Sequence, residues 1–264
     1  HNVTGITSTS STFDALDNID SQGAAVTITA DDALATGTSV NIQGLDASDQ
    51  NVTFNADADV VLGAALNTTG DLTIRGTGVG TAINMGDNAA AGGLGMSDAS
   101  IAFISDNIAN ITFGRTGQTG NMDFDDNTGS SFTFSSNLEF ILDGGANLTL
   151  SDNLSTLGAS ATDDDNNVLF TTHANTDINF EANLSTDSGN VTTTGTGELI
   201  VGSGVGHIID TNVNAAAPGN VDLSSLTRIT GAAGDSDFSI QISGGTGGTI
   251  SLPTVNGATD RLNN

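Results

Sequence analysis

The sequence predicts an all-β protein, a right-handed parallel β-helix (β-solenoid), with one short helix near residues 98–105. Three observations favour this fold class. Short segments of alternating apolar and polar residues recur along the 264 residues, commonly 8–14 residues apart. The segments are only three to five residues long and resemble one another. The hairpin dipeptide Asn-Gly is almost absent, whereas a β-sandwich of similar strand spacing has longer, less similar strands joined by hairpins.

Each segment has the same pattern: a polar residue or Gly, an apolar residue, a polar residue, a second apolar residue, and then a turn residue. Period-two alternation between turn residues is typical of a half-buried strand. Two or three such strands make one coil of roughly 20–25 residues in a parallel β-helix. The clear copies span 25–29, 39–43, 51–55, 59–63, 71–75, 82–86, 110–114, 121–125, 131–135, 139–143, 147–151, 167–171, 177–181, 190–194, 198–202, 220–224, 237–241 and 249–253.

The phenylalanines indicate which face of each strand points into the core. Several of them occupy the second apolar position of a segment, where stacked coils would place them in a column. Polar Thr, Asn, Asp and Ser take the alternate positions and are expected to face solvent. The predicted core phenylalanines are Phe54, Phe113, Phe124, Phe134, Phe170 and Phe180.

Residues 92–114 interrupt the strand pattern. Their apolar residues are not spaced as in the other segments, and Ser97 is placed to cap a helix over 98–105. We expect a side element that covers one end or flank of the solenoid. The prediction for the whole chain is one β-solenoid domain, 1–264, a segment or repeating subunit of a longer extracellular rod.

Composition excludes several function classes. The chain has four arginines, no lysine and no cysteine, and its net charge is −27. Such a chain repels nucleic-acid phosphates and anionic membrane surfaces. No apolar run approaches the roughly 18–20 residues of a membrane span, so we expect no membrane insertion. Without cysteine or lysine, thiolate metal sites, cysteine nucleophiles and Schiff-base chemistry are ruled out.

The stretch INMGDNAAAGGLGMSDASIAFISDNIANITFGRTGQTGNMDF (83–124) resembles the rungs of very large repetitive bacterial surface proteins. These are filamentous-haemagglutinin-like and autotransporter-type adhesins with right-handed parallel β-helix shafts. Residues 145–158 and 189–204 have the same character. The resemblance implies adhesion, biofilm matrix or cell-surface structure, generally without catalysis, and a shaft segment rather than an export or anchoring module.

An enzyme on this fold would be a β-helical carbohydrate-active enzyme. Polysaccharide lyases need Arg or Lys beside a uronate, and four scattered arginines supply few. Hydrolases need two carboxylates at a fixed separation, but carboxylates are so frequent here that pairs carry no information. His1, His173 and His207 lie far apart in the sequence and share no metal-binding spacing. We therefore expect no catalytic residues and no cofactor-binding residues.

Runs of aspartate offer the main candidate ligands for a metal ion. Asp163, Asp164 and Asp165 are consecutive, and Ca²⁺ prefers carboxylate and carbonyl oxygens. The alternative is a solvated acidic surface. Asp123, Asp125 and Asp126 form a second run, and Asp235 and Asp237 flank a turn.

Eight Asn-x-Ser/Thr sequons are candidate glycosylation sites in a secreted protein. The strand pattern itself generates such triplets, so chance occurrence is the alternative. They lie at Asn2, Asn51, Asn67, Asn110, Asn147, Asn153, Asn183 and Asn190.

The function expected from the sequence is that of a secreted, non-enzymatic structural protein, a β-solenoid shaft or filament subunit. Neither end of the sequence has an evident capping repeat, so we expect self-association, head to tail or laterally. The alternative is an adhesin module that binds a host or neighbour-cell receptor through a loop patch such as 87–108 or 159–176.

Overall fold

The structure is a computed structural model. It describes residues 6–8, 12–15, 19–20, 25–30, 39–42, 45–57, 59–86, 93–125, 129, 131–157, 166–202, 206–213, 218–232, 240–243 and 246–253. These residues form short strands and one four-residue helix, and the sheets are built from parallel pairs. The prediction of an all-β chain with parallel strands is therefore confirmed. The chain divides into two compact units, His1–Thr128 and Gly129–Asn264.

Unit 1 contains fourteen of the described strands and the helix α1. The strands are β1 (Ile6–Ser8), β2 (Thr12–Ala15), β3 (Ile19–Asp20), β4 (Val26–Ala30), β5 (Ser39–Ile42), β6 (Leu45–Ser48), β7 (Val52–Ala56), β8 (Val60–Leu62), β9 (Leu66–Thr68), β10 (Asp71–Arg75), β11 (Ala82–Gly86), β12 (Gly93–Ser97), β13 (Asn110–Gly114) and β14 (Met122–Phe124), with α1 (Asp98–Ile101) after β12.

Within unit 1 the neighbouring strands of a sheet are rarely consecutive in sequence. One series runs β1-β4-β7-β10-β13, and a second runs β12-β11-β14. Two three-stranded sheets run β2-β5-β8 and β3-β6-β9. Apart from β11 and β12, successive strands thus enter different sheets, and later strands return to pair with earlier ones.

The core of unit 1 is made of apolar columns that run across the strands. Val26, Val52, Leu72 and Ile111 are partners in register on β4, β7, β10 and β13, and each is at most 1% exposed. These columns remove apolar side chains from water, which is the main stabilising term for such short strands.

Unit 2 contains the other fourteen described strands. They are β15 (Phe132–Thr133), β16 (Asn137–Ile141), β17 (Asn147–Leu150), β18 (Leu154–Thr156), β19 (Val168–Thr171), β20 (Asp177–Phe180), β21 (Leu184–Thr186), β22 (Val191–Thr194), β23 (Glu198–Val201), β24 (His207–Asp210), β25 (Val221–Asp222), β26 (Arg228–Gly231), β27 (Ile240–Ser243) and β28 (Ile250–Ser251).

The strands of unit 2 follow a fixed rotation. One series runs β16-β19-β22-β25-β28, the next β17-β20-β23-β26, and the third β15-β18-β21-β24-β27. After β16, three consecutive strands always enter three different series, and the following three return in the same order. Its apolar columns are equally regular: Leu138, Val168, Val191 and Val221 are partners in register and at most 1% exposed.

The predicted strands and core residues agree well with the structure. Every predicted segment includes strand residues, and all six predicted core phenylalanines are buried. Phe140 and Phe170, on adjacent strands, stack with ring centroids 5.3 Å apart and planes 16° apart. The repeat is less uniform than the expected coil of about 20–25 residues, because partners in register on neighbouring strands are 11 to 39 residues apart.

The predicted helix forms but is shorter than expected. Ser97 is at its N-cap position, although its hydroxyl makes no capping hydrogen bond, and α1 ends at Ile101. Ile104 then forms a parallel bridge with Leu66, so the chain leaves the helix to pair with β9. Ser100 and Ile101 are the buried residues of the helix. The Ser100 hydroxyl accepts the Leu62 N–H of β8 at 3.2 Å.

Candidate functional site

The most regular polar feature of the described chain is a column of asparagines in unit 2, which we call the asparagine ladder. It consists of Asn137, Asn167, Asn190 and Asn220, each just before an apolar residue of its strand. Oδ1 of each accepts the backbone N–H of the next ladder position, at 2.8, 2.7, 2.8 and 2.9 Å, and the last N–H is that of Thr249.

The ladder exists because the strands begin there. The backbone carbonyl of Asn167 accepts the N–H of Leu138 at 2.8 Å, so sheet pairing begins at this position. The backbone N–H of each asparagine lies just before the first hydrogen bond of the sheet and needs another acceptor. A short amide side chain supplies it, as Asn does in turns. Nδ2 of Asn167 and of Asn190 also donates to the preceding ladder oxygen, at 3.1 and 3.0 Å.

The same bond recurs at other strand starts. In each case an asparagine Oδ1 accepts the backbone N–H of the corresponding residue one repeat later. The further pairs are Asn51 with Asp71 at 2.9 Å, Asn147 with Asp177 at 3.3 Å, Asn153 with Asn183 at 3.0 Å, and Asn183 with Ile208 at 2.9 Å.

Buried threonines complete the same corners. Four threonines are at most 2% exposed. Each donates its hydroxyl to the backbone carbonyl of the residue just before an asparagine at a strand start. A buried hydroxyl with a fixed acceptor avoids the penalty of an unsatisfied polar group. The pairs are Thr68 with Gln50, Thr156 with Asn166, Thr186 with Gly189 and Thr211 with Gly219, at 2.5 to 2.9 Å.

The glycosylation candidates fall largely on these corners. Asn51, Asn147, Asn153, Asn183 and Asn190 use their Oδ1 as described above, while Asn67 and Asn110 are exposed. Asn2 lies outside the described residues. The triplet Asn-apolar-Thr therefore has a structural reason at several positions: Asn bonds to the next repeat, and the apolar residue begins the core column. Glycosylation itself stays a prediction.

The calcium candidates Asp163, Asp164 and Asp165 lie outside the described residues, so the calcium site also stays a prediction. Asp123 and Asp125 lie in and just after β14 and are half-buried, and Asp126 is outside the described part. Among the residues that the structure describes, no three His, Asp or Glu side chains are grouped closely enough to hold a metal ion.

A charged column runs across the second series of unit 2. Asp177, Glu198 and Arg228 are partners in register on β20, β23 and β26. Arg228 binds the Glu198 carboxylate at 2.8 Å. Burial raises the pKa of Asp177, and the neighbouring Glu198 carboxylate raises it further, while Arg228 opposes both. Sequence reasoning missed this column because it depends on register across 30 residues.

The two described histidines contact different residues in unit 2. Nδ1 of His173 lies 3.0 Å from the Leu142 carbonyl oxygen and 3.8 Å from an Asp143 carboxylate oxygen, at an exposed turn. The rings of His207, on β24, and Phe180 form a T-shaped pair with centroids 6.2 Å apart. The structure does not bring these side chains together, and His1 lies outside the described residues.

Comparison with known proteins finds no matching family model, no matching curated protein and no matching solved structure. The helix described here has four residues, and none in the described part of the chain has the length and apolar character to cross a membrane.

Proposed function

We propose that this chain is a non-enzymatic extracellular structural protein, a β-solenoid shaft or filament subunit of a cell surface or matrix. One observation carries the proposal: the strands of unit 2 visit three parallel series in a fixed rotation. Repetition of this kind is typical of proteins that work through length and stiffness.

The finer architecture belongs to the same proposal. Parallel neighbours in one sheet require a crossover, and such crossovers are right-handed in about 98% of cases. A chain that visits three parallel series in rotation would then wind as a right-handed parallel β-helix with the series as its faces. In this proposal the chain is one domain, a segment or repeating subunit of a longer rod.

The use of polar side chains supports a structural role. Asparagine amides bond to backbone groups of neighbouring repeats, and buried threonine hydroxyls bond to backbone carbonyls at the corners. Their hydrogen-bonding capacity holds the corners together and is not directed at an external molecule. A secreted location and the absence of catalysis are part of the proposal, and the net charge of −27 would keep such a rod soluble through self-repulsion.

Self-association through strand edges follows from the parallel architecture. Within the described residues, β28 pairs only with β25, and Ile250 on β28 is 46% exposed. A parallel edge presents unpaired N–H and C=O groups, and a second copy would satisfy them. We propose that this edge contacts another copy of the chain.

The experiment compares Ile250→Lys with Val79→Lys, since both residues are 46% exposed but Val79 lies in a turn. Light scattering coupled to size exclusion, with negative-stain imaging, follows assembly as concentration rises. We expect filaments or higher oligomers for the unmodified chain and for the turn variant, and loss of them for the edge variant. A monomer at all concentrations would contradict self-association, and equal assembly of both variants would exclude this edge.

An adhesin is the second candidate, because the segment 93–109 is an insertion in the strand series. Asp71 and Asn110 are bonded neighbours 39 residues apart, whereas Asn51 and Asp71 are 20 apart. The insertion includes β12 and α1 and exposes Ala99 and Ala102. The second loop patch suggested by the sequence, 159–176, includes β19 of the sheet, so its deletion would remove core contacts.

Substitution therefore tests the adhesin candidate better than deletion. The double variant Ala99→Arg, Ala102→Arg adds charge and bulk to the exposed side of the insertion. If the insertion binds a receptor, attachment of labelled protein to cells falls while the thermal unfolding midpoint stays unchanged. Val61→Arg, at a 40% exposed strand position, is the matched control. Unchanged attachment of the double variant would remove the insertion from consideration.

A further inference from the structure

Two arginines of unit 1, Arg75 and Arg115, have no carboxylate at ion-pair distance within the described chain. The ion pairs there join Arg228 to Glu198 and His173 to Asp143. This is unexpected in a chain with four arginines and 31 acidic residues. We call Arg75 and Arg115 the arginine pair.

Strand register places the arginine pair side by side. Ile74 on β10 is the partner of Phe113 on β13, so Arg75 lies beside Gly114 and Arg115 follows one residue later. Gly114 has φ of 85°, a backbone conformation that favours glycine, and contributes no side chain between the two guanidinium groups. Both arginines therefore lie at the C-terminal ends of neighbouring parallel strands.

Neighbouring polar groups orient each guanidinium. Nε of Arg75 donates to Oδ1 of Asn55, whose Nδ2 donates to the Thr29 hydroxyl at 3.1 Å. Nη2 of Arg115 donates to the Thr77 carbonyl oxygen at 2.8 Å. The arrangement is thus fixed before any ligand arrives, which lowers the entropy cost of binding.

The carboxylate that contacts Thr77 is already engaged. Asp57 accepts the backbone N–H of Thr77 at 3.1 Å and the hydroxyl of Thr81 at 2.6 Å, and the Thr77 hydroxyl donates to its other oxygen. Asp57 therefore holds the turn that carries the Arg115 acceptor, and does not pair with either guanidinium.

Each guanidinium retains unused donors. A guanidinium has five N–H donors, and within the described residues Arg75 and Arg115 each give one to protein. Burial, and then the charge of Arg115, lowers the pKa of Arg75, so the two cations repel one another. Two adjacent guanidinium groups with free donors match the oxygens of a carboxylate, sulfate or phosphate.

We infer that the arginine pair is an oxyanion-binding site, with Arg75 and Arg115 donating to one carboxylate, sulfate or phosphate group. The inference rests on this local geometry and is independent of the structural role proposed above. The net charge of −27 repels anions in solution, and it repels a polyanion more strongly than a small ion. A small oxyanion therefore fits the site better than a polyanion.

The test observes the arginine side chains directly. With four arginines, a ¹⁵N-labelled chain gives at most four Arg Nε–H resonances, which single Arg→Gln variants assign. Sulfate, methyl phosphate and acetate are titrated separately against chloride at constant ionic strength. We expect the resonances of Arg75 and Arg115 to shift in a saturable way and that of Arg228 to stay still. The anion that saturates first identifies the chemistry of the group.

Arginine variants test the same site through its affinity for the anion. Arg75→Gln or Arg115→Gln should weaken binding about tenfold, since each loses a charge-assisted contact. The double variant should lose saturation, and Arg228→Gln should bind like the unmodified chain. Parallel, unsaturated shifts of all resonances, or no shift with any of the three anions, would overturn the inference. Those outcomes are read on the unmodified chain, so they do not depend on a variant folding.

Discussion

Oδ1 of Asn167 accepts the backbone N–H of Asn190 at 2.7 Å, although the two residues are 23 positions apart in sequence. The bond joins consecutive strands of one parallel series at the point where each begins. Asn167 is itself bonded in this way to Asn137, at 2.8 Å. The ladder therefore links repeat to repeat through side chains, in addition to the sheet hydrogen bonds.

Replacing Asn167 by alanine should lower the free energy of unfolding by about 1 kcal/mol, because the Asn190 N–H loses its acceptor and is only partly rehydrated. Urea unfolding followed by circular dichroism measures the change. Asn107→Ala is the control, since Asn107 is exposed and its side chain makes no hydrogen bond within the described residues. The control should stay within about 0.5 kcal/mol of the unmodified chain. Equal stabilities of the two variants would contradict the ladder.

Glycine is required where one repeat passes closely over another. Gly195 has φ of 99°, and a Cβ there would overlap the carbonyl oxygen of Thr172. Gly206 has φ of 88°, with nothing within 4 Å of its Cβ position. Both alanine variants carry the backbone strain of a positive φ, about 1 kcal/mol. Gly195→Ala should lose about 1–3 kcal/mol more, or fail to unfold cooperatively, because of the overlap.

Thermal unfolding of the two glycine variants separates these contributions. A lower midpoint for Gly195→Ala than for Gly206→Ala is the expected result. An equal loss of stability in both variants would contradict the close approach of Gly195 to the Thr172 carbonyl.

The pKa shifts of two aspartates, Asp177 in the charged column and Asp222 on β25, predict opposite effects of pH on stability. Because burial and Glu198 raise the pKa of Asp177, its contribution to stability is present below the ordinary value of 3.8 and is lost as pH rises through the folded pKa. Asp177→Asn should therefore stabilise the chain at pH 7 by a few tenths of a kcal/mol, a small effect because water screens the partly exposed carboxylate. The gain should vanish near pH 3.

Asp222 should affect stability in the opposite direction. Hydrogen bonds from the Ser224 side chain and backbone lower the pKa of Asp222, so its contribution is present above pH 3.8 and is lost as pH falls. Asp222→Asn should lower stability at pH 7 and have little effect near pH 3. Urea midpoints at the two pH values test both variants, and a destabilised Asp177→Asn chain at pH 7 would refute the repulsion from Glu198.

Much of the strand pattern could be predicted from sequence, because inward positions carry two large apolar residues. Phe54 and Phe113 follow this rule and are fully buried. Strands such as β18 and β21 escaped prediction because Leu154 and Leu184 are their only large apolar residues. The second inward position in each is a threonine, Thr156 or Thr186, whose hydroxyl is satisfied by a corner carbonyl.

The candidate site was less predictable, because it depends on which residues become neighbours across repeats. Asn167 and Asn190 are recognisable as turn residues, but repeat lengths of 23 to 30 residues hide their alignment. The arginine pair is separated by 40 positions, across the inserted segment 93–109, and meets because β10 and β13 pair in register. β12 was missed because the buried glycines Gly93 and Gly95 stand where the other segments have polar residues.

The most direct test of in-register parallel stacking is disulfide formation in this cysteine-free chain. Thr171 and Leu169 on β19 are partners of Thr194 and Thr192 on β22. The double cysteine variants 171/194 and 169/192 should both oxidise fully and keep the native circular dichroism. The variant 171/192 should stay reduced, because its Cα atoms are about 8 Å apart. Mass spectrometry gives the result: two in-register bridges support the account, and oxidation of 171/192 in their place would contradict it.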